Sequence, residues 1–192
     1  MASATSICSN ALLMLGASPI NDLTAEEGEQ AVLALNLFES ARDTVIRSHT
    51  WSSCIKRVLL APLVAEPVVT TPIFGYQFQI PSDCLRVLSV GDYYMCDHKI
   101  EGNKILANNS SLPIRYLYRN DDVGSWDAGL VDVMTAYMSA QMAYPITRSA
   151  SMMQAKQQEY MMALRRARAS DSQQGTSDPL TYSSPLLAVR GV

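Results

Sequence analysis

The stretch 24–57, TAEEGEQAVLALNLFESARDTVIRSHTWSSCIKR, cannot stand alone in water. Ala31, Ala34, Phe38, Ala41 and Val45 recur at helical spacing, with Val32 and Leu35 beside them. The alanines leave room for a second helix to approach closely. Glu39, Arg42, Asp43 and Arg47 fall between the apolar positions. Thr24 followed by Glu27 has the spacing of a capping box, which predicts a helix over about 25–47. The periodicity fades near His49, and Trp51, Cys54, Lys56 and Arg57 follow as an aromatic and basic segment. A helix with one such stripe has to bury it against another layer.

A natural partner precedes it. Residues 3–15 read as a short helix with Ile7, Ala11, Met14 and Leu15 on one face, Ser3 as the cap and Gly16 as the stop. Prolines at 62, 67 and 72 then end helical patterning and favour extended chain with edge pairing. Residues 73–119 are strand-rich. Phe74, Tyr76, Phe78 and Ile80 alternate against Gln77 and Gln79, and Pro81, Ser82 and Asp83 form a turn. A second strand is expected at 85–90 and another at 93–96. Glu101, Gly102 and Asn103 read as a hairpin turn. In 114–119, Ile114, Tyr116 and Tyr118 alternate with Arg115, Leu117 and Arg119.

Helical spacing returns at about 126–143, with Leu130, Met134, Tyr137 and Gln141 in one stripe, widened by Val133, Met138 and Tyr144, and Pro145 is expected to stop or kink it. A fourth helix is expected at about 149–168, with Met152, Ala155, Glu159 and Met162 on one side and Met153, Tyr160, Ala163 and Leu164 around it. The methionines concentrate in these two helices and suit either a helix–helix core or a subunit contact. From Ser170 onward the composition turns to Ser, Gln, Gly, Thr and Pro, which suits a mobile tail. Its last residues, SSPLLAVRGV, are apolar enough to add a strand or fill a groove, although fraying is also open. The expected fold class is α+β: an antiparallel bundle of about four helices (1–57 and 120–169) with a small antiparallel β-domain (58–119) inserted between helices two and three. An extended tail spans 170–192.

Charge narrows the function. The chain has 192 residues, 17% charged, with a net charge of -3 and pI near 5.3. That balance argues against a dedicated nucleic-acid binder, though not against a wall that DNA passes. No run approaches the roughly 18 apolar residues of a membrane span, and the N-terminus lacks the basic start of a signal peptide, so manufacture in a cytoplasm is expected. Cys8, Cys54, Cys84 and Cys96 have no metal-ligand spacing and are expected as free thiols. With His49 and His98 the only histidines, a multi-histidine metal centre is excluded. The carboxylate pairs Glu26–Glu27 and Asp121–Asp122 have simpler roles, at a helix start and in a loop, than glycoside hydrolysis. Neither cofactor nor catalytic residue is expected. Arg165, Arg166 and Arg168 suit the negative end of the fourth helix or contact with an acidic partner.

Three pieces in order, LLMLGASPINDLTAEE, LFESARDTVIRSHTWSSCIKRVLLA and YQFQIPSDCLRVLSV, resemble the bacteriophage tail tubular protein A family. The most specific parts are Arg42-Asp43, His49-Thr50-Trp51 and the Pro-Ser-Asp-Cys-Leu-Arg run at 81–86. Relatives often carry proline where this chain has Thr50. The resemblance implies a head-to-tail adaptor of a short-tailed phage. Such a protein forms a ring, usually of twelve copies, between the portal and a tail nozzle built from tail tubular protein B-like subunits. Genomic DNA crosses the lumen in passing. The implied location is the virion head–tail junction, after synthesis in the host cytoplasm and with no membrane insertion. On this reading Arg42, Asp43, His49 and Trp51 hold the helix-to-sheet junction. Arg165, Arg166, Arg168, Leu186 and Leu187 are candidates for portal docking. Gly91, Asp92, Glu101, Gly102 and Asn103 are candidates for the nozzle side, and the two docking roles are interchangeable on sequence alone. The other readings are a tail-associated cell-wall hydrolase and a small DNA-binding or regulatory protein. The first requires a cleft with a carboxyl of raised pKa, and the second requires salt-dependent DNA affinity.

Overall fold

Ser3 begins the first helix reciprocally. Its side chain accepts the Ser6 N–H at 3.1 Å, and the Ser6 hydroxyl oxygen accepts the Ser3 N–H at 2.9 Å. This helix, α1 (Ala4–Leu13), stops where Gly16 adopts φ +74°, with the Gly16 and Ala17 N–H groups returning to Leu13 and Leu12 carbonyls. The computed structural model describes residues 2–23, 28–63, 74–91 and 96–173. The expected Thr24–Glu27 capping box and residues 93–95 of the strand expected at 93–96 lie outside them, and Cys96 is not in a strand. The second helix, α2 (Glu29–Ser48), starts after Gly28 at φ +96°, four residues later than its pattern implied.

Around these helices the fold is mixed α+β: four helices, with a small antiparallel β-structure inserted between the second and third. The third helix, α3 (Ala128–Thr147), is the axis of the bundle. α1, α2 and α4 (Ala150–Ser172) all pack on it. It is therefore buried on several sides, and Leu130, Val133, Met134, Met138, Met142 and Ala143 are each fully enclosed. Of the widened stripe expected from its sequence, Leu130, Val133, Met134 and Met138 are enclosed, whereas Gln141 and Tyr144 face outward. Asp127 caps α3 by accepting the Gly129 N–H at 2.9 Å. Beside that cap, a Cβ on Gly129 would stand 3.3 Å from the Ala167 Cβ of α4, so small residues set the approach there. Pro145 does not stop the helix. Its missing N–H falls in the last turn, and the exposed Gln141 is the residue that loses a partner. Thr147 Oγ1 donates to the Ala143 carbonyl at 2.6 Å, and Arg148, at φ 53°, closes the end through the Tyr144 carbonyl.

α4 is anchored only along its second half. Tyr160, Leu164, Ala167 and Asp171 form the buried stripe. Tyr160 and Leu164 are expected from the sequence only beside the stripe, whereas Met152 and Met162, expected on it, and Met153, beside it, face outward. The helix also runs to Ser172, so Ser170 and Asp171 belong to it rather than to a tail.

The strands are β1 (Ile55–Leu60), β2 (Tyr76–Gln79), β3 (Cys84–Val90), β4 (His98–Glu101), β5 (Lys104–Ala107) and β6 (Leu112–Tyr118). β1 begins three residues before the boundary read at 58. One sheet has the order β1-β6-β3 and the other β2-β5-β4, all antiparallel. A bridge between Pro62 and Phe78 links the two. The first sheet is the middle layer. Ile55, Leu85, Leu88 and Leu117 face the helices, while Val58, Leu60, Ile114 and Tyr116 face Phe78 and Ile105 of the outer sheet. β6, its central strand, thus puts alternate residues into two separate cores. In β2 only Phe78 is enclosed; Tyr76, expected on the same inner face, is 40% exposed at the outer edge. Between β4 and β5, Glu101 pairs with Lys104 across Gly102 and Asn103, with Gly102 at φ +60°. The expected hairpin is there.

Candidate functional site

The last four carbonyls of a helix have no partner within it. At the end of α2 three of them are taken by side chains from beyond the helix, two of these from distant parts of the chain. The Val45 carbonyl accepts the Trp51 indole N–H at 3.0 Å. Arg86, from β3, donates to the Arg47 carbonyl at 3.3 Å and to Thr50 Oγ1 at 3.2 Å. Arg168, from α4, donates to the Ser48 carbonyl. Two of these donors are cations at the negative end of the helix dipole. The Trp51 ring is wholly buried, and the His49 ring meets it edge-on with centroids 4.9 Å apart. His49 Nε2 stands 3.0 Å from Asp171 Oδ2, and Asp171 Oδ1 accepts the Ser52 N–H at 3.1 Å.

Arg42 and Asp43 occupy a second, adjoining network. Arg42 is buried in the bundle wall and reaches Asp43 Oδ1 at 3.0 Å and Asp121 Oδ1 at 2.7 Å. Arg119, just past β6, holds Asp43 Oδ2 at 2.7 Å. Burial works against ionising Asp43, but its bonds to Arg119 and Arg42 outweigh it and keep the carboxyl below its ordinary range. A third cluster ties the sheet edge. Lys56 Nζ lies 2.8 Å from Asp83 and 3.8 Å above the Tyr118 ring, and Tyr116 donates its hydroxyl to Asp83 at 3.1 Å. Burial, helped by Asp83, pushes the Tyr116 phenol up to about 12.

These networks account for most of the residues that carried chemical interest. Asp121 belongs to Arg42, and Asp122 accepts the Gly124 N–H at 3.1 Å. Glu26 and Glu27 lie outside the described residues. All four cysteines are free; burial raises the Cys8 thiol to about 12 and the Cys54 thiol to about 11, far from a reactive thiolate. Among the described residues no cluster of His, Cys, Asp or Glu is arranged to hold a metal ion. No described helix is long and apolar enough to cross a membrane.

The open surface is elsewhere. A groove of about 840 Å³ runs between α1, α3 and α4. Its apolar lining comes from Met14, Val131, Ala136, Met162 and Ala163, with Arg165 and Arg166 on one wall. Leu13, next to Met14 on α1, is 52% exposed, and Met162 is 54% exposed. The basic group is therefore divided: Arg165 and Arg166 face this groove, whereas Arg168 turns inward to α2. Leu186 and Leu187 lie outside the described residues. On the β side Gly91, at φ +83°, donates its N–H to the Pro113 carbonyl at 2.8 Å. Gly102 and Asn103 line a different depression, with Ile80, Pro81 and Arg86, so the two loops do not form one surface. Glu101 is on the same hairpin, and Asp92 lies outside the described residues.

No protein-family model and no curated protein matches the chain. The site is consequently read from geometry: a tightly capped junction at the end of α2, and an apolar groove between α1, α3 and α4 that is open among the described residues. Beside Arg119, Asp171 is a participant that the sequence did not mark. It lies eleven residues past Tyr160, with Leu164 and Ala167 between, and that continuing helical stripe was the available signal.

Proposed function

We propose that this chain is a structural head-to-tail adaptor, without catalysis of its own, that forms a ring between the portal and the tail nozzle of a short-tailed phage. The observation that carries the reading is the exposed groove between α1, α3 and α4. Contiguous exposed apolar surface of this kind marks a protein–protein contact. The three stretches that resemble the tail tubular protein A family give that contact its partners. Closing a ring needs a heterologous contact, in which one face of a copy meets a different face of the next. The helical groove and the β-hairpin side are two such unlike faces. The net charge of -3 suits a lumen that DNA crosses without being held. In this reading the protein sits at the head–tail junction of the virion.

The test is to mix the purified chain with its portal and image the product by electron microscopy, with the chain alone as control. A ring of this chain on the tail-facing end of the portal is the expected result. Failure of two folded proteins to associate at low and at moderate salt would remove the proposal.

A further inference from the structure

A second depression of about 840 Å³ shares no residue with the helical groove. It lies among the end of α2, the first half of β3 and the β4–β5 hairpin. We infer that it takes an extended, carboxylate-bearing segment of a partner protein, laid along the free edge of β3.

β3 is an outer strand of its sheet and pairs with β6 alone among the described strands. Cys84, Leu85, Arg86 and Val87 all line the depression. Cys84 packs toward the outer sheet and Leu85 toward the helices. Side chains from both faces of a strand border one space only where that space runs along the strand's edge. An unpaired edge offers backbone N–H and C=O groups to any extended chain that reaches it. The bulge between Cys84 and Arg86 shortens the ladder such a chain can make, so side chains have to supply the rest.

Those side chains carry one sign. Among the described residues, Arg47 and Arg86 line the depression and no carboxylate does. Arg86 is already fixed in place: its bonds to the Arg47 carbonyl and to Thr50 use two of its five N–H donors and leave three. The Arg47 side chain is exposed and makes no hydrogen bond or ion pair among the described residues. The carboxylates closest in sequence are turned elsewhere. Asp83 is held by Lys56 and Tyr116, and Glu101 faces Lys99 at 4.0 Å. Ile80, Val87 and the half-exposed Ile100 add apolar contact. A strand that carries acidic residues beside apolar ones matches this lining. A nucleic acid does not, because two cations neutralise few phosphates and the chain as a whole is negative. Lys99 and Glu101 flank Ile100 on β4 and do not line the depression, so the other face of the hairpin stays free for a neighbouring copy.

The probe is a fluorescent hexapeptide of alternating Leu and Glu, titrated into the full chain and read by anisotropy. Saturable binding is expected, and Arg47→Glu should weaken it by about tenfold or more. The same variant should gain affinity for the matched peptide of Leu and Lys, a reversal that a folding defect does not produce. Arg166→Glu, on the helical groove, should leave binding unchanged. Bound acidic peptide should slow hydrogen exchange at Cys84–Val87 and leave β1, the other edge of that sheet, as it was. Absence of binding, binding that Arg47→Glu does not alter, or protection confined to the helices would overturn the proposal. So would a DNA duplex that binds more tightly than the peptide and displaces it, or a dimer of the chain that Arg47→Glu abolishes, since each puts a different occupant in the depression. None of these measurements involves the portal, so failure here leaves the adaptor reading intact, and failure of the ring experiment leaves this one intact.

Discussion

Methionine serves opposite ends in α3 and α4. In α3, Met134, Met138 and Met142 are fully enclosed; in α4, Met152, Met153, Met161 and Met162 are between 37% and 54% exposed. The side chain is the same and both segments are helical. What differs is position. α3 packs against three other helices, whereas the methionines of α4 lie off its one buried stripe of Tyr160, Leu164, Ala167 and Asp171. A flexible thioether fills irregular gaps in the first setting and presents an adaptable surface in the second. Burial is thus decided by layer, which is a property of the assembled bundle and not of the helix.

Substitutions can break that contrast. The largest loss is expected at Trp51, the seat on which the inner half of α4 rests through His49 and Asp171. Trp51→Ala should cost about 3–5 kcal/mol in urea unfolding, as for other enclosed aromatics. Met138→Ala should cost about 2–5 kcal/mol in the same assay. A cost below about 0.5 kcal/mol would mean that α3 is not the interior helix. Asp171→Ala should cost about 1–3 kcal/mol, because it leaves the Ser52 N–H and His49 without their acceptor.

Smaller effects sharpen the picture. The Asp43 carboxyl is held below its ordinary range in the folded chain, so it contributes stability above the unfolded-state value of about 3.9. That contribution fades as pH falls through the lower folded value. The stability difference between the wild-type chain and Asp43→Asn, followed by chemical unfolding, should therefore be present at neutral pH and shrink on the acid side. A difference that grows with acidification would contradict the Arg42–Asp43–Arg119 network. Met162→Ala should be the mildest, within about 0.5 kcal/mol, because its side chain is mostly outside. A loss as large as that at Met138 would erase the distinction between the two helices.

Local chemistry was the legible part. The Ser3 cap, the Gly16 stop, the turn at Pro81 to Asp83 and the hairpin at Gly102 each depend on neighbours within a few residues, and each is where the pattern puts it. The four-helix arrangement with its β insertion followed from the same periodicities. What stayed hidden depends on distant partners. Nothing near Arg168 announces the Ser48 carbonyl, and nothing near Asp171 announces Ser52. The start of α2 differed because a glycine and not the upstream threonine precedes Glu29. The helix runs on for two residues past Pro145, since near a helix end the missing bond costs little. The functional assignment was least legible: a docking surface is defined by what covers it, and the groove contains no motif.

Strand β6 has a consequence for the order in which the chain can fold. Leu117 belongs to the helical core and Ile114 and Tyr116 to the sheet core, so neither core is complete without this one strand. α1, α2 and β1 all leave the ribosome before it, and their other partner, α3, emerges later still. The first third of the chain must therefore wait, apolar faces uncovered, for residues synthesised 50 or more positions downstream of β1. Pairings at that separation slow folding and lengthen the interval in which aggregation competes. Synthesis of this protein should be sensitive to temperature and to chaperone supply, even where the finished fold is stable.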